Sequence, residues 1–168
     1  MKKVLQLAFV FALTFLVTSQ SAQAQLQTPH AFGARFGSAT GLTYRYTMAP
    51  DKAVEGILSI QSNSEMSRFR LVGLYEMHRP LIDDFTWFYG FGGSVGSYTR
   101  KAHTNAQGER FDKHSGLGLS IDGIVGVEYK IPSAPIAVSL DAKPYFDFLE
   151  ETGFRIVEGL GFSVRYTF

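Results

Sequence analysis

Two short segments contain the residue types that could supply a serine nucleophile. Residues 92–96 (GGSVG) match the G-x-S-x-G pattern, which in hydrolases exposes a serine oxygen on a turn between a strand and a helix. Here the pattern lies inside a glycine-rich strand segment that no helical pattern follows. His114 and Ser115 are the one adjacent His and Ser pair, and neighbours in a strand point to opposite faces. Neither segment predicts a catalytic nucleophile, and the sequence predicts no cofactor.

A long polar segment, Tyr98 to Ser115, contains side chains that can bind metals. His103 and His114 lie there with Glu109 and Asp112, and imidazole and carboxylate groups are suitable ligands for a divalent cation. Their spacing matches no metal-binding motif. A solvated polar loop is therefore the favoured interpretation, and we predict no metal site.

The same segment is too long and too charged for a simple turn, and binding sites often lie on such loops. We therefore predict that its charged residues contact a partner at the cell surface. A mobile loop without a partner is the alternative. The predicted contact residues are Arg100, Lys101, His103, Glu109, Arg110, Asp112 and Lys113.

Charged residues of both signs recur on one face of several segments in which apolar and polar residues alternate. In the last segment Leu160, Phe162 and Val164 share one face, whereas Ser163 and Arg165 share the other. This period of two is typical of strands. In a soluble barrel the charged face would meet solvent, and in a membrane barrel it would line the lumen, where charges must pair. The predicted lumen charges are Arg35, Arg45, Glu55, Arg68, Arg70, Glu76, Asp122, Glu128, Lys130, Asp141, Lys143 and Arg165.

The elements that carry these faces are eight predicted strands, separated by the Gly, Pro, Asn and Asp residues that tight turns favour. No segment after the first 24 residues shows a sustained helical period. An even number of antiparallel strands joined by hairpins can close without unpaired edges. The predicted strands are Ala31 to Ser38, Leu42 to Met48, Ala53 to Gln61, Ser67 to His78, Phe85 to Ser97, Gly116 to Ile131, Ile136 to Phe148 and Phe154 to Phe168.

Aromatic residues concentrate at both ends of the apolar face, with aliphatic residues between them. Bilayer interfaces favour aromatic rings, so two such girdles around an aliphatic band predict a transmembrane barrel. With both termini in the periplasm, the short turns would be periplasmic and the longest loop extracellular. The predicted periplasmic girdle contains Phe32, Tyr46, Tyr75, Phe85, Trp87, Tyr129, Tyr166 and Phe168, and the outer girdle contains Phe69, Phe146, Phe148 and Phe154.

The first 24 residues have the layout of a secretory signal peptide. Lys2 and Lys3 precede an apolar run from Leu5 to Val17, and small residues precede a predicted cleavage site after Ala24. An uncleaved membrane anchor is the alternative. Cleavage leaves residues 25–168 as one domain.

The composition after cleavage argues against a nucleic-acid partner. The signal segment holds two of the 16 Lys and Arg residues and none of the 15 Asp and Glu residues, so the mature net charge is −1. Binding to nucleic acid would require a basic excess. The chain has no Cys, which fits an oxidising periplasmic route.

The chain resembles the small eight-stranded outer-membrane barrels of the OmpA and OmpX type. The resemblance covers Ala31 to Phe168 and depends on the signal segment, the eight alternating segments and the ending GFSVRYTF at residues 161–168. It implies an eight-stranded antiparallel up-and-down transmembrane β-barrel in a Gram-negative outer membrane, with lipopolysaccharide as its neighbour. It also implies that the barrel-insertion machinery recognises the last strand through its terminal Phe168.

The predicted lumen is crowded, because an eight-stranded barrel is just wide enough for side chains to fill. The charges would share it with Val72, Leu74, Phe88 and Ile124. We therefore expect a plugged, non-enzymatic barrel that acts through its outer loops or stabilises the membrane. A narrow ion-conducting barrel and a soluble lipocalin-like barrel with an apolar ligand are alternatives. A lipid A-modifying enzyme is another, supported by fold analogy alone, since lipid A deacylases place Ser and His on one strand face.

Overall fold

A computed structural model describes residues 28–62, 66–101, 103–104, 110–111, 113–149, 153–155 and 160–168. All regular elements in these ranges are β-strands. They are β1 (His30–Gly37), β2 (Thr40–Ala49), β3 (Lys52–Ser62), β4 (Met66–Ile82), β5 (Phe85–Arg100), β6 (His103–Thr104), β7 (Arg110–Phe111), β8 (His114–Lys130), β9 (Ile136–Ala142), β10 (Tyr145–Asp147), β11 (Gly153–Arg155) and β12 (Leu160–Thr167). Within the same ranges, no helix is long and apolar enough to cross a membrane.

The main sheet is antiparallel and closes on itself. Strands β1 to β5 pair in order, and β5 pairs with β8. β9 pairs with both β8 and β12, and β12 returns to pair with β1. β9 and β10 together occupy one strand position in the barrel wall, and β11 and β12 together occupy the next. The main sheet is therefore an eight-stranded closed barrel. The predicted all-β class, strand number and closure are confirmed, while the membrane location stays a prediction.

One of the last two predicted strands is interrupted, and the other is described only in part. The strand predicted over Ile136 to Phe148 breaks between β9 and β10, and Pro144 lies at the break. Proline has no N–H for the strand ladder, although the Pro144 carbonyl accepts a hydrogen bond from the Gly123 N–H at 2.8 Å. The strand predicted over Phe154 to Phe168 is described as β11 and β12, and residues 156–159 lie outside the described ranges.

Two predicted connections are shorter than expected. β4 continues through Pro80, and the chain turns at Asp83, which has a φ of +46°, a conformation that Asp tolerates better than most residues. The loop predicted over Tyr98 to Ser115 is shorter at both ends, because β5 extends to Arg100 and β8 begins at His114, which pairs with Arg100. Arg100 is therefore a strand residue, and its placement in the loop was wrong.

The two ends of the barrel differ in what they carry. At one end, called the terminal side here, the His30 and Phe168 backbones exchange two hydrogen bonds, at 2.9 and 3.1 Å. At the other, called the loop side, lies the connection between β5 and β8. The strands alternate strictly in places: β12 reads exposed, buried, exposed, buried over its full length.

The inward face is polar and the outward face is apolar. A small apolar cluster within the lumen consists of Ile57, Val72, Leu74, Phe88 and Ile124. The four lumen apolar residues expected from the sequence are all in it. Ile57 was missed because its strand, β3, has apolar residues on both faces. Ile57 lies two residues from Glu55 and therefore on the same inward face, which is the signal that would have placed it inside.

The charged lumen as candidate functional site

The predicted lumen charges lie on the inward face of the strands. Glu55 and Arg165 are completely buried, and Arg70 and Lys130 are half-buried. Lys130 lies at the terminal-side end of β8, where its N–H donates to the Asp84 carbonyl at 3.2 Å. The remaining predicted charges, all buried, are Arg35, Arg45, Arg68, Glu76, Asp122, Glu128, Asp141 and Lys143.

The first of two ionic networks lies toward the terminal side and centres on Arg165. Its Nη2 donates to Glu55 Oε1 at 2.7 Å, and its Nη1 donates to Ser139 Oγ at 2.7 Å. The same Nη1 lies 3.3 Å from Glu128 Oε2. Arg45 donates two further hydrogen bonds to the Glu128 carboxylate, at 2.6 and 2.8 Å. Such two-pronged pairing is the strongest form of ion pair in proteins.

His78 joins this buried region although the sequence did not place it there. Its Nε2 lies 3.1 Å from Glu76 Oε2, and both side chains are completely buried. Its ring stacks on Phe88 with centroids 5.2 Å apart. The predicted fourth strand ended at this residue, so its side chain was left out of the lumen. The signal that would have found it is its separation of two residues from Glu76 on the same strand face.

The second network lies nearer the loop side and centres on Asp122. Lys143 Nζ donates to Asp122 Oδ1 at 2.6 Å, and Arg70 Nη2 lies 3.7 Å from the same oxygen. Ser120 donates to Asp122 Oδ2 at 2.8 Å. Arg70 also donates to Ser94 Oγ, at 2.6 Å from Nη2, and to Ser120. Both cations therefore share one carboxylate, which hydroxyl groups hold in place.

Tyr145 links this network to one further arginine, Arg68. The Arg70 guanidinium lies 4.1 Å and the Lys143 ammonium 5.3 Å from the centre of its ring, and Arg68 Nη1 donates to its hydroxyl at 3.0 Å. Arg35 Nη1 pairs with Asp141 at 2.5 Å. Tyr145 was not among the predicted lumen residues, although it continues the alternation of Asp141 and Lys143.

Neither candidate nucleophile lies in a catalytic geometry. Ser94 is buried within β5, where its hydroxyl pairs with Ser120 at 2.7 Å and no helix follows. His114 and Ser115 are exposed neighbours at the start of β8. The Ser115 hydroxyl pairs with Thr99 at 3.0 Å. Residues 92–96 therefore lie within a strand, as predicted, whereas His114 and Ser115, which were placed in the long loop, belong to β8.

The predicted loop contacts are only partly described. Arg100 is half-buried at the end of β5, and Lys101 and Lys113 are exposed beside the strand ends. His103 and Arg110 lie in a two-stranded hairpin formed by β6 and β7. Glu109 and Asp112 lie outside the described residues. Among the residues that are described, no three metal-binding side chains come together.

Comparison with known proteins assigns no family to the chain. No protein-family model matches it, and no curated protein matches it significantly. The function must therefore be argued from the two features that the barrel itself presents, which are an apolar exterior and a charged, ion-paired interior.

Proposed function

We propose that the chain is an integral outer-membrane β-barrel with a plugged interior, which acts without enzymatic chemistry through its extracellular loops. It would bind a surface partner there, or stabilise the membrane. The proposal depends on one observation: at least eleven charged side chains are fully or partly buried inside the barrel, whereas most of its large apolar side chains are exposed on the outside.

Exposed apolar side chains occur on all eight strand positions of the barrel wall. Leu117 and Leu140 are 72% and 67% exposed, and similar residues recur along the outward faces of the neighbouring strands. Soluble monomers rarely expose a contiguous apolar patch of more than a few hundred Å². Lipid tails would cover this surface, since closed barrels satisfy their backbone hydrogen bonds internally and can cross a bilayer.

Aromatic rings on this surface cluster toward the terminal side. Ring pairs on the outer face include Phe85 with Tyr129, at 4.6 Å between centroids, and Trp87 with Tyr89, at 5.1 Å. Toward the loop side, Phe146 and Phe148 pack edge to face at 5.2 Å. Aromatic rings favour the interfaces of a bilayer, so these two groups of rings would lie at its two interfaces. The terminal side would then face the periplasm. Phe154, predicted for the outer girdle, has no described side chain.

The lumen supports a plugged barrel rather than a pore or a lipocalin-like carrier. Arg165 and Arg45 reach across it toward the terminal side, and Lys143 and Arg70 pair with Asp122 along its wall nearer the loop side. A lipocalin-like carrier would need an apolar cavity for its ligand, whereas the described interior is mostly charged. No described Ser and His pair favours the lipid A-modifying alternative.

Membrane insertion is tested by fractionating cells that express the full chain, and by running the fractions on a denaturing gel with and without boiling. We expect the protein in the outer membrane, with a band whose mobility changes on boiling because a closed barrel resists detergent until heated. A soluble periplasmic band with no change would contradict the proposal and would favour a soluble barrel.

The role of the loops is tested by replacing residues 101–113 with Asn-Gly, a two-residue turn that suits a hairpin. Because Arg100 and His114 pair directly, the barrel should still form and still change mobility on boiling. Binding of the cell surface partner should be lost. Unchanged surface binding by a correctly inserted variant would show that this loop is not the contact site.

A further inference from the structure

We infer that Glu76 is a buried proton-binding site, whose carboxyl group keeps a proton at neutral pH and donates it to Glu55, and that the terminal-side network is destabilised when this proton is lost. Glu76 lies on the inward face of β4 and is completely buried. Because the site is inside the lumen, the inference does not depend on whether the outer loops bind a partner.

Glu76 has no arginine or lysine partner among the described residues. Arg165 pairs with Glu55 and Glu128, and Arg45 pairs with Glu128 through two hydrogen bonds. These two cations therefore balance two carboxylates. The group in ion-pair contact with Glu76 is His78, at 3.1 Å. An ionised Glu76 would be a third carboxylate without its own cation in a buried site, and such a group tends to become neutral by taking up a proton.

Glu55 offers an acceptor for that proton. The two residues lie diagonally across the β3–β4 ladder, because Glu76 is paired with Ala53 and Glu55 with Leu74, and long side chains can meet across such a diagonal. Their carboxyl groups lie within hydrogen-bonding reach of each other. Glu76 Oε1 and Glu55 Oε2 are both buried, and neither has another hydrogen-bond partner among the described residues. Since two ionised carboxylates can only accept hydrogen bonds, a proton between them would satisfy both.

His78 is less suited than Glu76 to hold the proton. Its Nδ1 is buried with no partner among the described residues, so a protonated ring would bury an N–H donor without an acceptor. A neutral ring can donate from Nε2 to Glu76 Oε2 while it stacks on Phe88. With the proton on Glu76, the charges of the surrounding groups sum to zero. The charged groups that face Glu76 and His78 are Arg45 of β2, Glu55 of β3, Glu128 of β8 and Arg165 of β12.

A proton retained in the folded barrel makes its stability depend on pH. In an unfolded chain, glutamate loses its proton near about pH 4.3 and histidine near about pH 6.5. Above about pH 6.5 the unfolded chain has therefore lost both protons, whereas the folded barrel keeps one. The equilibrium constant of unfolding should then rise about tenfold for each unit by which the pH is raised. Between about pH 4.3 and 6.5 both states hold one proton, and this pair should add no pH dependence.

The test is urea titration of the full chain in phospholipid vesicles at several values between about pH 7 and 8.5, where lysine and tyrosine do not yet titrate. The wild-type protein should show the full tenfold dependence per pH unit. Glu76→Gln should lose this dependence, because its neutral amide needs no proton. The matched control is Asp51→Asn, which removes a carboxylate that is 34% exposed and should keep the dependence. A purely structural role of Glu76 would lower stability and leave the pH dependence unchanged.

Two further measurements locate the proton without requiring Glu76→Gln to fold. His78→Gln should keep the pH dependence, and its loss there would place the proton on the ring and overturn the assignment to Glu76. The infrared spectrum of the folded wild-type protein at neutral pH should contain the carbonyl band of a protonated carboxylic acid, which unfolding in urea should remove. A wild-type protein with neither the pH dependence nor this band, or a Glu76→Gln variant with the full dependence, would overturn the inference.

Discussion

At the scale of single residues, Arg165 holds the terminal-side network together. It is completely buried and contacts two carboxylates that belong to different strands, Glu55 of β3 and Glu128 of β8. Removing water from buried charges is costly, and this cost is offset only when every partner is present. The Nε atom of Arg165 has no hydrogen-bond partner among the described residues, so the two Nη groups carry its pairing.

Replacing Arg165 with Met should lower the free energy of unfolding by about 3–5 kcal/mol, because Glu55 would keep a buried charge without its cation. Urea titration in phospholipid vesicles, followed by the fluorescence of Trp87, the one tryptophan of the chain, measures this loss.

Arg79→Met is the matched control for that substitution. Arg79 pairs with Asp51 at 3.4 Å, but their side chains are 51% and 34% exposed, so the loss should stay below about 1 kcal/mol. Equal losses in the two variants would mean that the buried network does not stabilise the barrel beyond an ordinary surface pair.

At the scale of strands, small residues make room for the lumen contents. Gly126 lies on the inward face of β8, where an added Cβ would lie 2.6 Å from the Phe88 ring and 2.7 Å from the Leu140 carbonyl oxygen. Gly73, on the outward face of β4, has open space around the same position. An added methyl group would therefore clash with its neighbours at position 126 but not at position 73.

Gly126→Ala should lower the free energy of unfolding by about 1–3 kcal/mol, because the backbone carbonyl of the neighbouring strand cannot move aside cheaply. Gly73→Ala should change it by no more than about 0.5 kcal/mol. Both are measured by urea titration in vesicles, and similar losses would show that the lumen is packed more loosely than this geometry requires.

The break between β9 and β10 shows how one residue reorganises an element. Pro144 ends the ladder of β9, and the chain resumes in β10 with Tyr145 facing inward and Phe146 outward. The alternation is kept across the break, so Tyr145 stays on the same face as Lys143. Both residues therefore line one small cavity, of about 30 Å³, on the loop side of the lumen.

At the scale of the whole molecule, closure of the barrel creates both its apolar exterior and its ionic interior. The partners that meet across the lumen are far apart in the chain: Arg35 and Asp141 are separated by 106 residues, and Arg45 and Glu128 by 83. These contacts form only when β12 pairs with β1. The ion pairs inside the lumen can therefore stabilise the barrel only once the sheet has closed.

If the proposed plugged interior is correct, the purified protein should give no discrete conductance steps in planar bilayers, because Arg165 and Arg45 pair with buried carboxylates across the lumen. A porin of known conductance in the same bilayer serves as the control. A reproducible open level from this barrel, absent after boiling, would contradict the plugged interior and would favour the narrow ion-conducting alternative.

The alternation of side chains allowed much of this fold to be predicted. It placed Phe88 and Ile124 inside and Leu117 outside, since a strand has a local period of two that any single segment displays. The same rule would have placed Tyr145 and His78 inside. His78 was missed because the predicted strand ended there, whereas strand ends are set by pairing with neighbours and β4 continues to Ile82. Tyr145 lay inside a predicted strand, but the inward face of that strand was assigned only as far as Lys143.

The sequence by itself determined which faces are apolar and which are charged, because that information is local to each strand. Only the tertiary structure decided which charges meet. Arg165 reaches Glu55 across 110 residues, and a shift of one residue in register would turn either side chain to the other face. The small loop-side cavity depends in the same way on register and closure, which bring Arg35 of β1, Arg68 of β4 and Lys143, between β9 and β10, to one space.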